Sequence, residues 1–355
     1  MTATPATPRL KKLLMGLMTT VLTLALLLIA GEIYFRQHYA LLNETSVGKG
    51  TGSEYFVFDE LLGWKGKPLV AGLHSSGAVI SHNEYGFRDT PWNLDTAKRR
   101  VLMLGDSNLW GYGVEDNEYP AALLNRTTPD IRWFNAGMNG YGTDQEYLTF
   151  KWLKPLVKPD WTVLAFCDND RGDNTSKRVR GYDKPFFQVQ GDNLILKNSP
   201  VPKPQDDSNR QNPFSIRAFQ KTHSRFVFQL AHLFEQWQGR DRVSRVQKSA
   251  QESEELSGDP THLLIRQLFR EADEHLLVVA INNDPALAEF CASQKIPFLD
   301  LSKTPASQPG PHVYPSGPPK HSHWTPEGTR IAAEEIAQAI LTCLQNSGCG
   351  SVHQE

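Results

Sequence analysis

An apolar segment that runs into a Gly-Asp-Ser turn most restricts the fold of this chain. Residues 101–104 are Val-Leu-Met-Leu, and Gly105, Asp106 and Ser107 follow before a predicted helix. A buried strand, a sharp turn and a helix in succession are typical of parallel α/β sheets, where functional groups lie beyond the carboxyl ends of the strands. There the Ser107 hydroxyl would point out of the sheet, beside helix N–H groups suited to a developing oxyanion. Ser107 is therefore a candidate nucleophile, and the alternative is a structural turn serine. In either case we expect the Asp106 carboxylate to brace the turn through nearby N–H groups rather than to act as an acid.

The segments after this turn repeat the alternation of strand and helix. The predicted elements are strand 101–104, helix 119–125, strand 131–134, helix 144–153, strand 161–166, strand 276–281, helix 284–294, strand 296–299 and a C-terminal amphipathic helix. Alternation with short turns predicts an α/β fold with a central parallel sheet covered by helices on both faces.

Three further motifs stand at strand ends or a helix start. Gly140 lies in the Asn135–Thr143 segment after one strand, and Asn169 follows the strand that ends at Phe166. His323 precedes the C-terminal helix, for which Thr325 is the predicted N-cap and Pro326 the first residue. A serine nucleophile, a glycine N–H, an asparagine amide and a histidine base make a hydrolase site. Alternatives remain open, since Gly140 has neighbouring turn glycines and Asn169 is also suited to cap a helix.

These four blocks, in this order, resemble the SGNH (GDSL-type) hydrolase family, and within it the membrane-anchored bacterial envelope group. The likeness spans roughly residues 55–345 and extends upstream to the Asn83–Asp89 segment, Asn-Glu-Tyr-Gly-Phe-Arg-Asp. It implies a three-layer, flavodoxin-like fold, with Ser107 as nucleophile, His323 as base, and Gly140, Asn169 and the Ser107 N–H as oxyanion donors. It also implies a periplasm-facing serine esterase or acyltransferase that acts through an acyl-serine on O-acyl groups, acetyl in particular, of an envelope or exported glycan.

Two positions depart from the family pattern. Cys167 stands where the family has a glycine, and Lys320 and His321 occupy the positions of the catalytic aspartate. The candidates for orienting His323 are then a backbone carbonyl of 315–322, His321 or Asp168. A catalytically silent scaffold of the same fold, which binds a glycan or a partner protein, is the alternative function.

The charge balance and the possible metal ligands limit which partners and cofactors we expect. Lys and Arg number 37 against 39 Asp and Glu, which gives no whole-chain signature of a nucleic-acid-binding protein. His312, His321 and Asp300 carry donors suited to zinc. We nevertheless expect no metal and no cofactor, and an acylated glycan or small ester as the substrate.

The N-terminal region predicts an export anchor. Residues 13–31 carry no charge and are long enough to span a bilayer, and Arg9, Lys11 and Lys12 precede them. We therefore expect 1–12 in the cytoplasm, 13–31 as a single-pass inner-membrane anchor, 32–54 as a stalk, 55–345 as a periplasmic domain and 346–355 as a tail. A cleaved signal peptide is the alternative.

An insertion interrupts the predicted sheet, and the four cysteines fall into two classes. Residues 176–260 interrupt the alternation with a hairpin that turns at 191–192, a predicted helix over 216–237 and a polar stretch, and they form a lid, a protein-partner surface or a spacer. Outside the cytoplasm, Cys343 and Cys349 are close enough in sequence to form a disulfide, whereas Cys167 and Cys291 are expected to be buried thiols.

Overall fold

The computed structural model describes residues 8–38, 55–74, 78–95, 98–179, 182–203, 258–307 and 323–345. The helices are α1 Pro8–His38, α2 Ser107–Trp110, α3 Pro120–Thr127, α4 Thr143–Val157, α5 Asn169–Asn174, α6 Thr261–Glu271, α7 Pro285–Gln294 and α8 Pro326–Gln345. The strands are β1 Phe56–Asp59, β2 Gly63–Gly66, β3 Ala71–Leu73, β4 Val79–Ser81, β5 Arg99–Gly105, β6 Ile131–Asn135, β7 Trp161–Phe166, β8 Arg178–Val179, β9 Tyr182–Asp183, β10 Phe186–Gln190, β11 Asn193–Lys197, β12 Leu276–Ala280 and β13 Phe298–Asp300.

A five-stranded parallel sheet with the order β13-β12-β7-β5-β6 forms the core. Numbered along the chain, its strands run 2-1-3-4-5, which is the flavodoxin-like order. The chain leaves β5 for β6 on one side and then crosses back to β7 on the other, so the direction of winding reverses at β5. Ligands of such sheets bind at this reversal, beyond the carboxyl ends of the strands. Ser107 follows β5 at that point.

The two faces of the sheet are covered by different helices, because successive side chains along a strand point to opposite sides. Leu102 and Leu104 of β5 share one apolar cluster with side chains of α4 and α6. Val101 and Met103 point the other way, into a cluster with side chains of α3 and α8. The predicted three-layer α/β fold is confirmed.

Most element boundaries agree with the sequence expectation within one or two residues, but helix α4 continues to Val157 rather than ending at 153. Strand β13 begins at Phe298 rather than at Ile296, because Pro297 has no N–H for the ladder. Helix α6 was not predicted, although its Leu264, Ile265 and Leu268 are buried. The β10–β11 hairpin turns at 191–192 as predicted. The helix predicted over 216–237 lies outside the described residues.

The N-terminal helix α1 is 31 residues long and contains the whole apolar segment 13–31. Its stretch Lys11–Tyr34 is long and apolar enough to cross a membrane. The helix continues to His38, through the first residues of the predicted stalk, and residues 39–54 are outside the described part of the chain.

The cysteines behave as expected wherever they are described. Cys167 and Cys291 are buried free thiols. Cys343 is disulfide-bonded, and Cys349, its expected partner, lies outside the described residues.

Candidate active site

The turn after β5 presents Ser107 as the first residue of α2. Asp106 is the N-cap, and its Oδ1 accepts the backbone N–H of Asn108 at 3.1 Å. The bracing role expected for Asp106 is thereby confirmed, since its carboxylate satisfies a free N–H of the first turn. Gly105 lets β7 and α2 approach this turn closely, because a Cβ there would lie only 3.1 Å from those of Ala165 and Leu109.

The structure brings Ser107 and His323 together across 216 residues of sequence. His323 Nε2 lies 2.9 Å from Ser107 Oγ. The C-terminal helix fixes the chain beside the base: Thr325 Oγ1 accepts the Gly328 N–H at 3.2 Å, and Pro326 begins the helix, as predicted. Ser107 Oγ also donates to Asp106 Oδ2 at 3.2 Å, so the hydroxyl lies between this carboxylate and the imidazole.

Gly140 and Asn169 lie in the loops beyond the same edge of the sheet. Gly140 adopts a left-handed φ of 83° in the turn after β6, whose Met138 N–H donates to the Gly105 carbonyl at 2.9 Å. Asn169 begins α5, directly beyond β7, and its amide donates to Asp173 Oδ2 at 3.1 Å and to Asp170 Oδ1 at 3.5 Å. Within the described residues no hydrogen bond joins either residue to Ser107, and their oxyanion roles stay predictions.

Cys167, the departure from the family glycine, braces the nucleophile turn from the neighbouring strand. Its thiol donates to Asp106 Oδ1 at 3.3 Å, and Asn108 Nδ2 lies 3.6 Å from the sulfur. Burial, followed by the charge of Asp106, raises the pKa of this thiol well above its ordinary value. Cys167 is therefore a neutral hydrogen-bonding group rather than a competing nucleophile.

A pair of buried carboxyl groups lies behind the site. Glu146 of α4 and Asp170 of α5 are both enclosed, and Asp170 Oδ2 accepts the Cys167 N–H at 3.0 Å. Burial raises the pKa of each group well above its ordinary value, and for Asp170 the next cause is the charge of Glu146. Each of these carboxyl groups therefore keeps its proton to a higher pH than an exposed carboxyl group does.

The upstream Asn83–Asp89 segment stabilises the loops around the site and is not itself part of the site. The guanidinium of Arg88 is fully buried and donates to the carbonyls of Gly111 and Val114 in the loop after α2. Asp89 accepts the backbone N–H of Asn135 at 3.1 Å, at the carboxyl end of β6. The segment thus ties together the loops after β5 and β6.

Two side chains that sequence reasoning missed contact the base region. The Tyr112 ring stacks on the His323 imidazole, with centroids 4.2 Å apart and planes inclined by 26°. Asn108 Oδ1 accepts the Trp324 N–H at 3.2 Å. Asn108 stands directly after the nucleophile and Tyr112 between two glycines, which is the only signal that the sequence offers.

The remaining candidates for orienting His323 or for binding a metal ion either lie outside the described residues or have other partners. His312, His321 and residues 315–322 lie outside the described residues. Asp168 is exposed, and its backbone N–H donates to Asn282 Oδ1 at 3.2 Å. Asp300 caps a short helical turn through the Ser302 N–H at 3.0 Å. Among the described residues, no cluster of three or more His, Cys, Asp or Glu side chains is suited to a metal ion.

No family model matches the chain, and neither does any curated relative. Solved structures that are similar to it include the psychrotrophic esterase EstA from Pseudoalteromonas sp., at 12% identity and a TM-score of 0.37, with 70% of this chain and 100% of that one covered. The lipase/acylhydrolase from Enterococcus faecalis is 14% identical with a TM-score of 0.34, covering 68% and 95%. A two-domain esterase active on acetylated mannans is 12% identical with a TM-score of 0.37, covering 72% and 52%.

Proposed function

We propose that this protein is a serine esterase or O-acyltransferase that works through an acyl-Ser107 intermediate. The observation that carries the proposal is the 2.9 Å contact between His323 Nε2 and Ser107 Oγ, at the carboxyl end of the strand where the sheet reverses. A hydroxyl nucleophile and a base within hydrogen-bonding distance are the signature of nucleophilic acyl transfer.

The reaction has two halves. In the first, Oγ attacks the ester carbonyl carbon while its proton moves to Nε2 of His323, and the carbonyl oxygen becomes an oxyanion. The Ser107 N–H, the Gly140 N–H and the Asn169 amide are the proposed donors to that oxyanion. The carbon–oxygen ester bond then breaks, and the leaving alkoxide takes the proton from His323. In the second half, water or a sugar hydroxyl attacks the acyl-serine and gives its proton to His323; collapse of that intermediate returns the proton to Ser107.

The proposed substrate is an O-acyl group, acetyl in particular, on an envelope or exported glycan. The proposed place is the periplasmic side of a bacterial inner membrane, with α1 as anchor. Both rest on the resemblance to the membrane-anchored envelope group, together with the apolar α1. The 176–260 insertion is proposed as the surface for a protein partner.

A fluorophosphonate probe tests the chemistry, because it reacts only with an activated serine. Wild-type protein should be labelled and should cleave a short-chain ester such as p-nitrophenyl acetate. Ser107→Ala should do neither, and His323→Ala should lose several orders of magnitude in rate. Ser293→Ala, on the exposed face of α7, is the matched control and should behave as wild type. Equal labelling of wild type and Ser107→Ala would contradict the assignment of Ser107, and absence of labelling and of ester cleavage in wild type would favour the silent scaffold.

A further inference from the structure

The nucleophile segment itself contacts the base on more than one side. Ser107, Asn108 and Tyr112 lie within six residues of one another, and each contacts His323 or its neighbour Trp324. This matters because the sequence has Lys320 and His321 where an aspartate would fix the imidazole. An imidazole that is not held in place loses alignment with the serine, and misplacement of about 1 Å is enough to lower a rate by about 10²-fold.

The backbone around Tyr112 has a fixed conformation, so its ring can hold the His323 imidazole in place. Its backbone N–H donates to the Ser107 carbonyl at 2.9 Å, so the aromatic ring is tied to the nucleophile's own residue. Gly111 and Gly113, on either side, have left-handed φ values of 91° and 83°, which a side chain other than glycine adopts at a cost. At Gly111 a Cβ would also lie 2.6 Å from that of Tyr119.

Arg88 fixes this loop from behind. Its guanidinium donates to the carbonyls of Gly111 and Val114, which flank Tyr112, and its Nε donates to Asp116 Oδ1 at 3.1 Å. The group is buried and lies over the Trp110 ring at 5.1 Å. A fully buried cation bonded to two carbonyls holds its loop in one conformation, since its removal would leave those acceptors unsatisfied.

Asn108 contacts the backbone next to the base. Its side chain is buried, with Oδ1 on the Trp324 N–H at 3.2 Å and Nδ2 at 3.6 Å from the Cys167 sulfur. The first contact fixes the backbone one residue after His323. The ring of the base is therefore stacked by Tyr112 while its chain is held by Asn108.

We propose that Tyr112 and Asn108 are the positioning residues for His323, in place of the family's aspartate. The inference rests on the proposed function. Tyr112 would act twice, because the face of an aromatic ring fixes the imidazole plane and also stabilises the imidazolium that forms when His323 takes the Ser107 proton. Titratable groups next to this pair include Asp106, 3.2 Å from Ser107 Oγ, and His74, whose ring lies 5.3 Å from that of Tyr112.

Kinetics of the full-length protein test the role of Tyr112. Tyr112→Leu should lower kcat by about 10- to 100-fold with KM within about two-fold of wild type, because the ring aligns the base rather than binding the ester. It should also move the acid limb of the kcat/KM profile to lower pH, since the imidazolium loses its aromatic neighbour. Tyr112→Phe keeps the ring and should restore both. Asn108→Ala should lower kcat without moving the limb.

A control variant and two contrary outcomes distinguish a failure of this inference from a failure of the proposed function. Phe290→Leu removes a partly buried ring of α7 that stacks on the His262 imidazole, with centroids 4.3 Å apart, and it should leave kcat unchanged. A general folding defect lowers the active fraction at every pH and leaves the limb in place. Wild-type kcat and limb in Tyr112→Leu, with Ser107→Ala and His323→Ala inactive, would overturn this inference alone. Full activity in Ser107→Ala would overturn the proposed function instead.

Discussion

At the scale of single residues, Asn169 is the group whose role depends most on its neighbours. Its amide donates to two carboxylates, of which Asp170 at 3.5 Å is the weaker partner. An oxyanion that forms at Ser107 would compete for that N–H. Sequence spacing predicts that Asn169 follows β7, but the direction of its amide depends on carboxyl groups that no local pattern specifies. In contrast, Ser107 and His323 could be predicted, because each stands at the junction of one strand or helix with its loop.

Asn169→Ala should lower kcat by about 10²–10³ with little change in KM, because an oxyanion donor acts mainly in the transition state. Steady-state kinetics on the same ester measures it. Asp173→Asn is the companion variant: it weakens the strongest competitor for the amide, at 3.1 Å, and should leave kcat unchanged or raised. A defect of Asn169→Ala confined to KM would assign Asn169 to substrate binding.

At the scale of elements, the first turn of α4 buries two acids with different surroundings. Asp144 forms an enclosed ion pair with Lys184. Glu146 is equally enclosed, and among the described residues its carboxyl oxygens have no hydrogen-bond partner. The helix itself was predictable from its apolar spacing. The burial of its polar first turn was not, because it depends on Asn174 of α5, whose side-chain oxygen accepts the Asp144 N–H at 3.0 Å.

Glu146→Gln should reduce the dependence of stability on pH. The pKa of Glu146 is raised by burial and then by Asp106, so the native state keeps a proton that the unfolded chain releases above the ordinary value of 4.5. Stability from this group is therefore present at acidic pH and is lost as pH rises toward the native pKa. Thermal unfolding from pH 5 to pH 9 should show a shallower decline in Tm for Glu146→Gln than for wild type.

The neighbouring ion pair supplies the control for that measurement. Asp144→Asn leaves the ammonium group of Lys184 buried without its charged partner and should lower Tm across the whole range. A decline in Tm for Glu146→Gln as steep as that of wild type would mean that Glu146 is not the group that releases the proton.

At the scale of the whole molecule, α1 is the element whose surface is least suited to water. Its apolar side chains are exposed in the structure, with Leu13 at 71% and Leu22 at 61% of full exposure. A helix segment that is apolar on every side is stable in a bilayer, and the 24 residues of Lys11–Tyr34 exceed the about 20 that a hydrocarbon core requires. Sequence predicted the apolar part of this helix, because hydropathy is a local property, but not its continuation to His38. The role of the 176–260 insertion could not be predicted in the same way, since its composition fits a lid, a partner surface and a spacer equally.

The orientation of the chain in a membrane follows from charge and is testable with reporters. Arg9, Lys11 and Lys12 precede the apolar segment, and positive residues favour the cytoplasmic side. An alkaline phosphatase fused after residue 355 should therefore be active, and a green fluorescent protein fused there through the general export route should be dark. Replacing the three basic residues by glutamate should lower phosphatase activity per molecule, whereas Lys295→Glu, far from the segment, should not. A bright fluorescent fusion with an inactive phosphatase would place the Ser107–His323 pair in the cytoplasm and remove exported glycans from its possible substrates.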